Sequence, residues 1–184
     1  MENKNVKNEK YKLKKQYRLP HYDYSQNGCY FVTICTKNRK NSFGKIIDGK
    51  IQLSEIGQIA KKYWLEITDR FNKVTLDEWM IMPNHVHGIV IIGENNVNCR
   101  NTPRRVPTGI QPLIKNSLSS IINHYKGNVK RFCNKNGFNH FSWQSRFYDH
   151  ILRNENSLNK IREYILNNPL KWDLDKNNPD NLYM

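Results

Sequence analysis

The run WMIMPNHVHGIVII, residues 79 to 92, limits the fold more than any other stretch of the chain. Pro83-Asn84 divides two apolar runs, KVTLDEWMIM (73–82) and HVHGIVII (85–92). Each has the length and β-branched content of a strand, and the Pro-Asn pair marks the turn between them. Such a pair belongs in a sheet core, yet its second strand opens on His-Val-His. Strand side chains alternate faces, so His85 and His87 project to one side and Val86 to the other. Two imidazoles about 7 Å apart along a strand can converge on one divalent cation. Nitrogen donors admit Zn, Mn, Co or Ni, and Mg if oxygen ligands join them. The plainer reading is two polar-face histidines of a half-buried strand.

The rest of the chain supplies a sheet and its helices. CYFVTICT (29–36) is a strand, and FGKIIDGKIQL (43–53) is a hairpin around Asp48-Gly49. Ser54 caps a helix in which Ile56, Ile59, Ala60, Tyr63, Trp64 and Ile67 recur at helical spacing. Residues 93–112 are polar, with Pro103, Pro107, Gly109 and Pro112, and read as a surface loop. A second helix carries the stripe Leu118, Ile121, Ile122, Tyr125, Val129, Phe132 and Cys133. SWQSRFYDHILR (142–153) reads as an aromatic, basic connector, and NSLNKIREYILNN (156–168) as a last helix stopped by Pro169. The order predicts one α+β domain over residues 21–172, a mostly antiparallel sheet with helices on one face. A basic arm, 1–20, precedes it, and a polar, loosely held tail, 173–184, follows.

Charge points to a partner. Lys and Arg number 30 against 16 Asp and Glu, a formal net charge of +14. Such an excess on one domain, interleaved with Tyr and Trp, favours nucleic acid over an anionic membrane surface. Lys126, Lys130 and Arg131 on the second helix form a candidate phosphate track. Arg104 and Arg105 lie in the proline-rich loop, and Trp143 and Arg146 are candidates to stack on or pair with an unpaired base, Trp143 reading equally well as a core residue. Cys29, Cys35, Cys99 and Cys133 show no C-x-x-C pair and read as small apolar residues of a reducing compartment. No apolar run approaches membrane-spanning length and the basic N-terminus has no signal-peptide core, so the expectation is a soluble, cytoplasmic protein.

Two local ligands need a third from elsewhere. A histidine-triad site would want a third His at position 89, which is Ile, and a zinc site would want more His, Cys or carboxylate nearby. The last helix offers EYILNNP, where Tyr164 and Asn168 share a face at a spacing of four, with Asn167 beside them. Tyrosine beside a cation on a basic protein points to phosphoryl chemistry, with the phenolate attacking phosphorus. Tyr148, in RFYDH, is the rival nucleophile, and Asn167, Asn168 or a water stands as third ligand.

Four blocks, RLPHYDYSQNGCYFVTICT, MPNHVHGIV, WQSRFYDHILRNE and YILNNPLKW, occur in an order that resembles the HUH single-tyrosine transposases, specifically the REP-associated tyrosine transposase branch. The resemblance covers roughly residues 18 to 175. It implies a ferredoxin-like, RRM-like sheet with the His-x-His motif on a central strand. It also implies metal-dependent cleavage and rejoining of single-stranded DNA at hairpins through a 5′-phosphotyrosine. Carried onto this chain, His85, His87 and Asn168 hold Mg²⁺ or Mn²⁺ and Tyr164 is the nucleophile. No small-molecule cofactor or membrane is implied, and a monomer is expected rather than a dimer. Two other classes compete: a non-catalytic basic nucleic-acid-binding module, and a hydrolase using a zinc-bound water.

Overall fold

The computed structural model describes residues 22–93, 116–174 and 178. The aromatic and β-branched run forms β1 (Gly28–Cys35). Asp48 and Gly49 take φ values of 49° and 71° between β2 (Gly44–Ile47) and β3 (Lys50–Leu53). A type I′ hairpin turn needs positive φ at both central positions, which is why Asp-Gly stands there. Ser54 Oγ accepts from the Gly57 amide to start α1 (Glu55–Leu65), and a short α2 (Ile67–Arg70) follows. Then come β4 (Val74–Ile81), β5 (His85–Ile92), α3 (Leu118–Lys135), β6 (Tyr148–Leu152) and α4 (Glu155–Asn167). A 3-10 helix spans Pro169–Leu174.

The main sheet has the order β4-β5-β1-β6, with every neighbouring pair antiparallel. The paths β1–α1–β4 and β5–α3–β6 therefore each cross over one intervening strand. This is the ferredoxin-like βαββαβ plan, with the β2–β3 hairpin inserted in the first crossover. The His-x-His strand, β5, is central, as the family resemblance implied.

Alternation sorts the core into two layers. Tyr30, Val32 and Ile34 of β1 and Val86, Val90 and Ile92 of β5 lie under α1 and α3, packed against Ala60, Trp64, Ile121, Ile122, Tyr125 and Val129. Each such side chain fully buried contributes about 1.5–3 kcal/mol. Gly88 faces the same layer, and a Cβ there would overlap the Trp64 ring. The opposite face carries Cys29, Phe31, Ile89 and Leu152 beneath Leu158 and Ile165 of α4. Helices on one face thus describes α1 and α3 only. The α4 stripe needs an apolar patch of its own, and the first face is already covered.

A second difference lies in 142–153, read as a connector. Its latter part is β6, an edge strand on β1 with exposed Tyr148 and His150 alternating with buried Asp149 and Ile151. The mixed aromatic and charged composition masked that alternation. The last helix sits within one residue of its expected bounds. The 3-10 helix runs to Leu174, and buried Asn178 donates from Nδ2 to the Trp172 carbonyl at 3.3 Å. Cys133 is a free thiol, whereas Cys29 is held in a disulfide, contrary to the expectation of four small apolar cysteines in a reducing compartment. The basic arm, Arg104 and Arg105 lie outside the described residues. Among those described, no helix is long and apolar enough to cross a membrane.

Candidate active site

The register of β5 on β1 places Thr33 opposite His87 and Cys35 opposite His85. Both histidines are fully buried, at 0% and 1% exposure. Their Nε2 atoms face each other at 2.9 Å. Each Nδ1 is held from behind, His85 by Asn84 Oδ1 at 2.8 Å and His87 by Thr33 Oγ1 at 2.9 Å. Asn84 donates from Nδ2 to the Arg39 carbonyl at 2.9 Å, so its oxygen is the atom turned to His85. An amide oxygen only accepts, so His85 carries its proton on Nδ1 and presents a lone pair at Nε2 when neutral. The Thr33 hydroxyl can accept from His87 Nδ1–H in the same way. Outward N–H groups held by oxygen and inward lone pairs are how metal-binding histidines are oriented.

The phenol of Tyr164 reaches this pair from α4, its hydroxyl 3.2 Å from His87 Nε2 and its ring 5.2 Å from the imidazole. Tyr164 is 39% exposed, so the site opens to solvent on this side. Asn168 follows one turn later. It keeps helical angles, φ −60° and ψ −43°, although Pro169 follows, and its amide donates to the Ile165 carbonyl. It therefore stays on the Tyr164 face. Asn168 is buried at 3% exposure, and its Oδ1 accepts no hydrogen bond. A buried carbonyl oxygen without a donor is costly unless something cationic or polar joins it. Two inward nitrogens and this oxygen are a donor set that fits a divalent ion of the Mg²⁺ or Mn²⁺ kind. Among the described residues, no three His, Cys, Asp or Glu side chains gather as a metal site.

Two devices hold α4 in place. Its apolar side packs on the sheet, and Arg162 makes a two-pronged contact with Asp77 of β4, Nε to Oδ1 at 2.9 Å and the guanidinium to Oδ2 at 2.6 Å. Asp77 and Glu78 together stand opposite Ile89, a β-bulge between the pairs Leu76–Val90 and Trp79–Gly88. Bulges re-aim side chains, and this one supplies Asp77 to α4. The guanidinium holds the Asp77 carboxyl below its usual range. Trp172 closes the other flank, its ring 6.0 Å from His85. Phe31 stacks on His87 at 5.3 Å.

The other candidate residues fall elsewhere. Lys126 donates to the carbonyls of Gln144 and Ser145 at 2.7 and 3.1 Å, and burial lowers its pKa. Lys130 donates to those of Asn139 and Phe141 at 3.2 and 2.5 Å. Both ammonium groups thus tie down the loop after α3. Arg131 is exposed and bonds Asn128 at 2.9 Å. Trp143 donates from its indole to the Lys126 carbonyl and packs on Phe43, Tyr125 and Phe141, so most of its ring belongs to the core. Arg146 is exposed. Tyr148 lies opposite Thr33 on the histidine face, 48% exposed. Thr33, Phe31, Asp77 and Trp172 carry no sequence signal for the site. Asn84 had one, its place directly before His85, but reads first as a turn residue.

Fold and site together define a class: the ferredoxin-like sheet with paired histidines on a central strand and a tyrosine on a following helix. A solved structure of a REP-associated tyrosine transposase bound to a REP hairpin superposes on this chain with a TM-score of 0.58, at 20% identity, over 88% of this chain and 76% of that one. The chain has that fold. No family model matches it. It belongs to one family with an uncharacterised protein of Haemophilus influenzae (strain ATCC 51907 / DSM 11121 / KW20 / Rd), which is 39% identical over 161 residues, 86% of this chain and 89% of the relative.

Proposed function

We propose that this protein is a transposase that cleaves and rejoins single-stranded DNA beside hairpins, with Tyr164 as nucleophile and His85, His87 and Asn168 as ligands of Mg²⁺ or Mn²⁺. The observation that carries the reading is the meeting of two segments distant in sequence: the facing Nε2 atoms of β5 and, 3.2 Å from one of them, the Tyr164 hydroxyl of α4, with the donorless Asn168 oxygen one turn further along that helix. A bound cation supplies positive charge that polarises the phosphodiester. The chain does the rest. Asn84 and Thr33 fix the imidazoles, and α4 brings the phenol to the same point. Tyr164 loses its proton and its oxygen bonds to phosphorus, while the bond to the 3′ oxygen breaks and that oxygen leaves as a hydroxyl. The phosphotyrosine keeps a phosphodiester's worth of bonds, so a 3′ hydroxyl can attack it in turn and release the tyrosine.

The net charge of +14 supplies the attraction to DNA, and the hairpin substrate is carried over from the REP-hairpin complex that shares the fold. The same reading implies a cytoplasmic protein that acts as a monomer. The test incubates single-stranded oligonucleotides containing hairpins with Mg²⁺ or Mn²⁺ and looks for a DNA–protein adduct on denaturing gels. Wild type forms it, and Tyr164→Phe and the double variant His85→Ala/His87→Ala do not. Tight binding with no adduct on any hairpin would make the chain a non-catalytic binding module instead.

A further inference from the structure

The sheet face that bears the histidines is covered unequally. On β6 it carries Tyr148, His150 and Leu152, because Asp149 and Ile151 turn to the other side. Leu152 is buried under α4, but Tyr148 and His150 are exposed. Thr33 pairs with His87 on one side and with Tyr148 on the other, so the three residues form one row across β5, β1 and β6. Strand spacing puts Tyr148 roughly 10 Å from His87, backbone to backbone. The rings link up as well. Phe31 stacks on His87 and meets Tyr148 edge-on, with centroids 6.5 Å apart at 70°. A phenol ring left 48% exposed beside a buried catalytic pair is not a core residue. Just before it, exposed Arg146 adds a cation to the open end of the strand.

We infer that Tyr148 and His150 form a stacking platform for an unpaired base of single-stranded DNA, next to the phosphate at the His85–His87 pair. The occupant is argued from charge and from position. A polyanion suits a +14 protein, and the platform continues the site along the same sheet face. Exposed aromatics on a sheet hold unpaired bases by their flat faces, with little preference for sequence. The row also gives the length of one step, from a backbone phosphate on β5 to a base on β6. Tyr148 then acts through its ring and not its hydroxyl, which separates it from Tyr164. This inference rests on the proposed reading of the site as one that handles single-stranded DNA.

The experiment uses the full chain carrying Tyr164→Phe, so that no strand is cut, and hairpin oligonucleotides in which 2-aminopurine replaces one unpaired base at a time. Stacking on a ring quenches the probe. The expected result is quenching at one position beside the cleavage site, lost in Tyr148→Ala and kept in Tyr148→Phe. Affinity falls about ten-fold in Tyr148→Ala and less in His150→Ala. DNA bound as tightly by Tyr148→Ala as by the parent, with no quenching dependent on Tyr148, overturns the platform and leaves the cleavage reading intact. Equal damage from Tyr148→Phe overturns it too, since the hydroxyl would then be the working group. No binding of single-stranded DNA at all removes both readings.

Discussion

Arg162→Met removes the clamp between the tyrosine helix and the sheet while keeping the aliphatic stem. The pair is two-pronged at 2.9 and 2.6 Å, and its side chains are 35% exposed for Arg162 and 14% for Asp77. Water screens the arginine end, so the loss is nearer that of a good surface pair than of a buried one, about 1 kcal/mol. The pH dependence identifies the cause. Hydrogen bonding to Arg162 is the largest influence on Asp77, the Glu78 amide adds to it, and burial opposes both. A carboxylate whose folded pKa is depressed contributes stability that is fully present above its unfolded value, about 3.9. That contribution is lost as pH falls through the lower folded value. Urea denaturation at a series of pH values from 7 to 2 measures it. The variant is less stable at pH 7, and the gap closes below pH 4 as Asp77 is protonated in both proteins. Amide exchange in α4 rises at neutral pH, because the helix opens locally more often. A gap that stays constant down to pH 2, or no gap at pH 7, would refute the clamp.

Three further outcomes follow from contacts already described. Gly88→Ala forces a methyl into the Trp64 ring and costs about 1–3 kcal/mol in chemical denaturation, with the fold retained. Asn84→Ala removes the acceptor behind His85 Nδ1 and weakens Mn²⁺ binding roughly 10- to 100-fold by calorimetry. Because the Asn84 side chain also bonds the Arg39 carbonyl, a melting curve beside the titration separates the two effects. Lys126→Met and Lys130→Met lower stability but leave the salt dependence of DNA affinity nearly unchanged, since their ammonium groups serve loop carbonyls. A drop of about 0.7 in the salt slope for either would show a phosphate contact instead.

Local chemistry was legible and long-range register was not. Asp48-Gly49, Ser54 and Pro169 announce a turn, a cap and a stop because each acts on its own backbone within a few residues. The His85–His87 spacing and the Tyr164–Asn168 spacing are likewise properties of one strand and one helix. That Thr33 backs His87, or that Asp77 meets Arg162, depends on pairings 54 and 85 residues apart in sequence. No period in the chain encodes those. The edge strand β6 was missed because an edge beside a working site carries aromatic and charged residues where a plain strand would carry alternation. The lysines of α3 differ in the opposite sense: their charge density suggests DNA, while the acceptors they meet in the structure are carbonyls of the chain itself.

The central claim is that Tyr164, and not Tyr148, becomes joined to DNA. Trypsin separates the two, cutting after Arg146 and Arg153 around FYDHILR and after Arg162 and Lys171 around EYILNNPLK. The adduct formed with Mn²⁺ on a hairpin oligonucleotide would be digested with nuclease and trypsin and its peptides fragmented in a mass spectrometer. The account predicts a nucleotide mass on EYILNNPLK, located at Tyr164. The same mass on FYDHILR would contradict it.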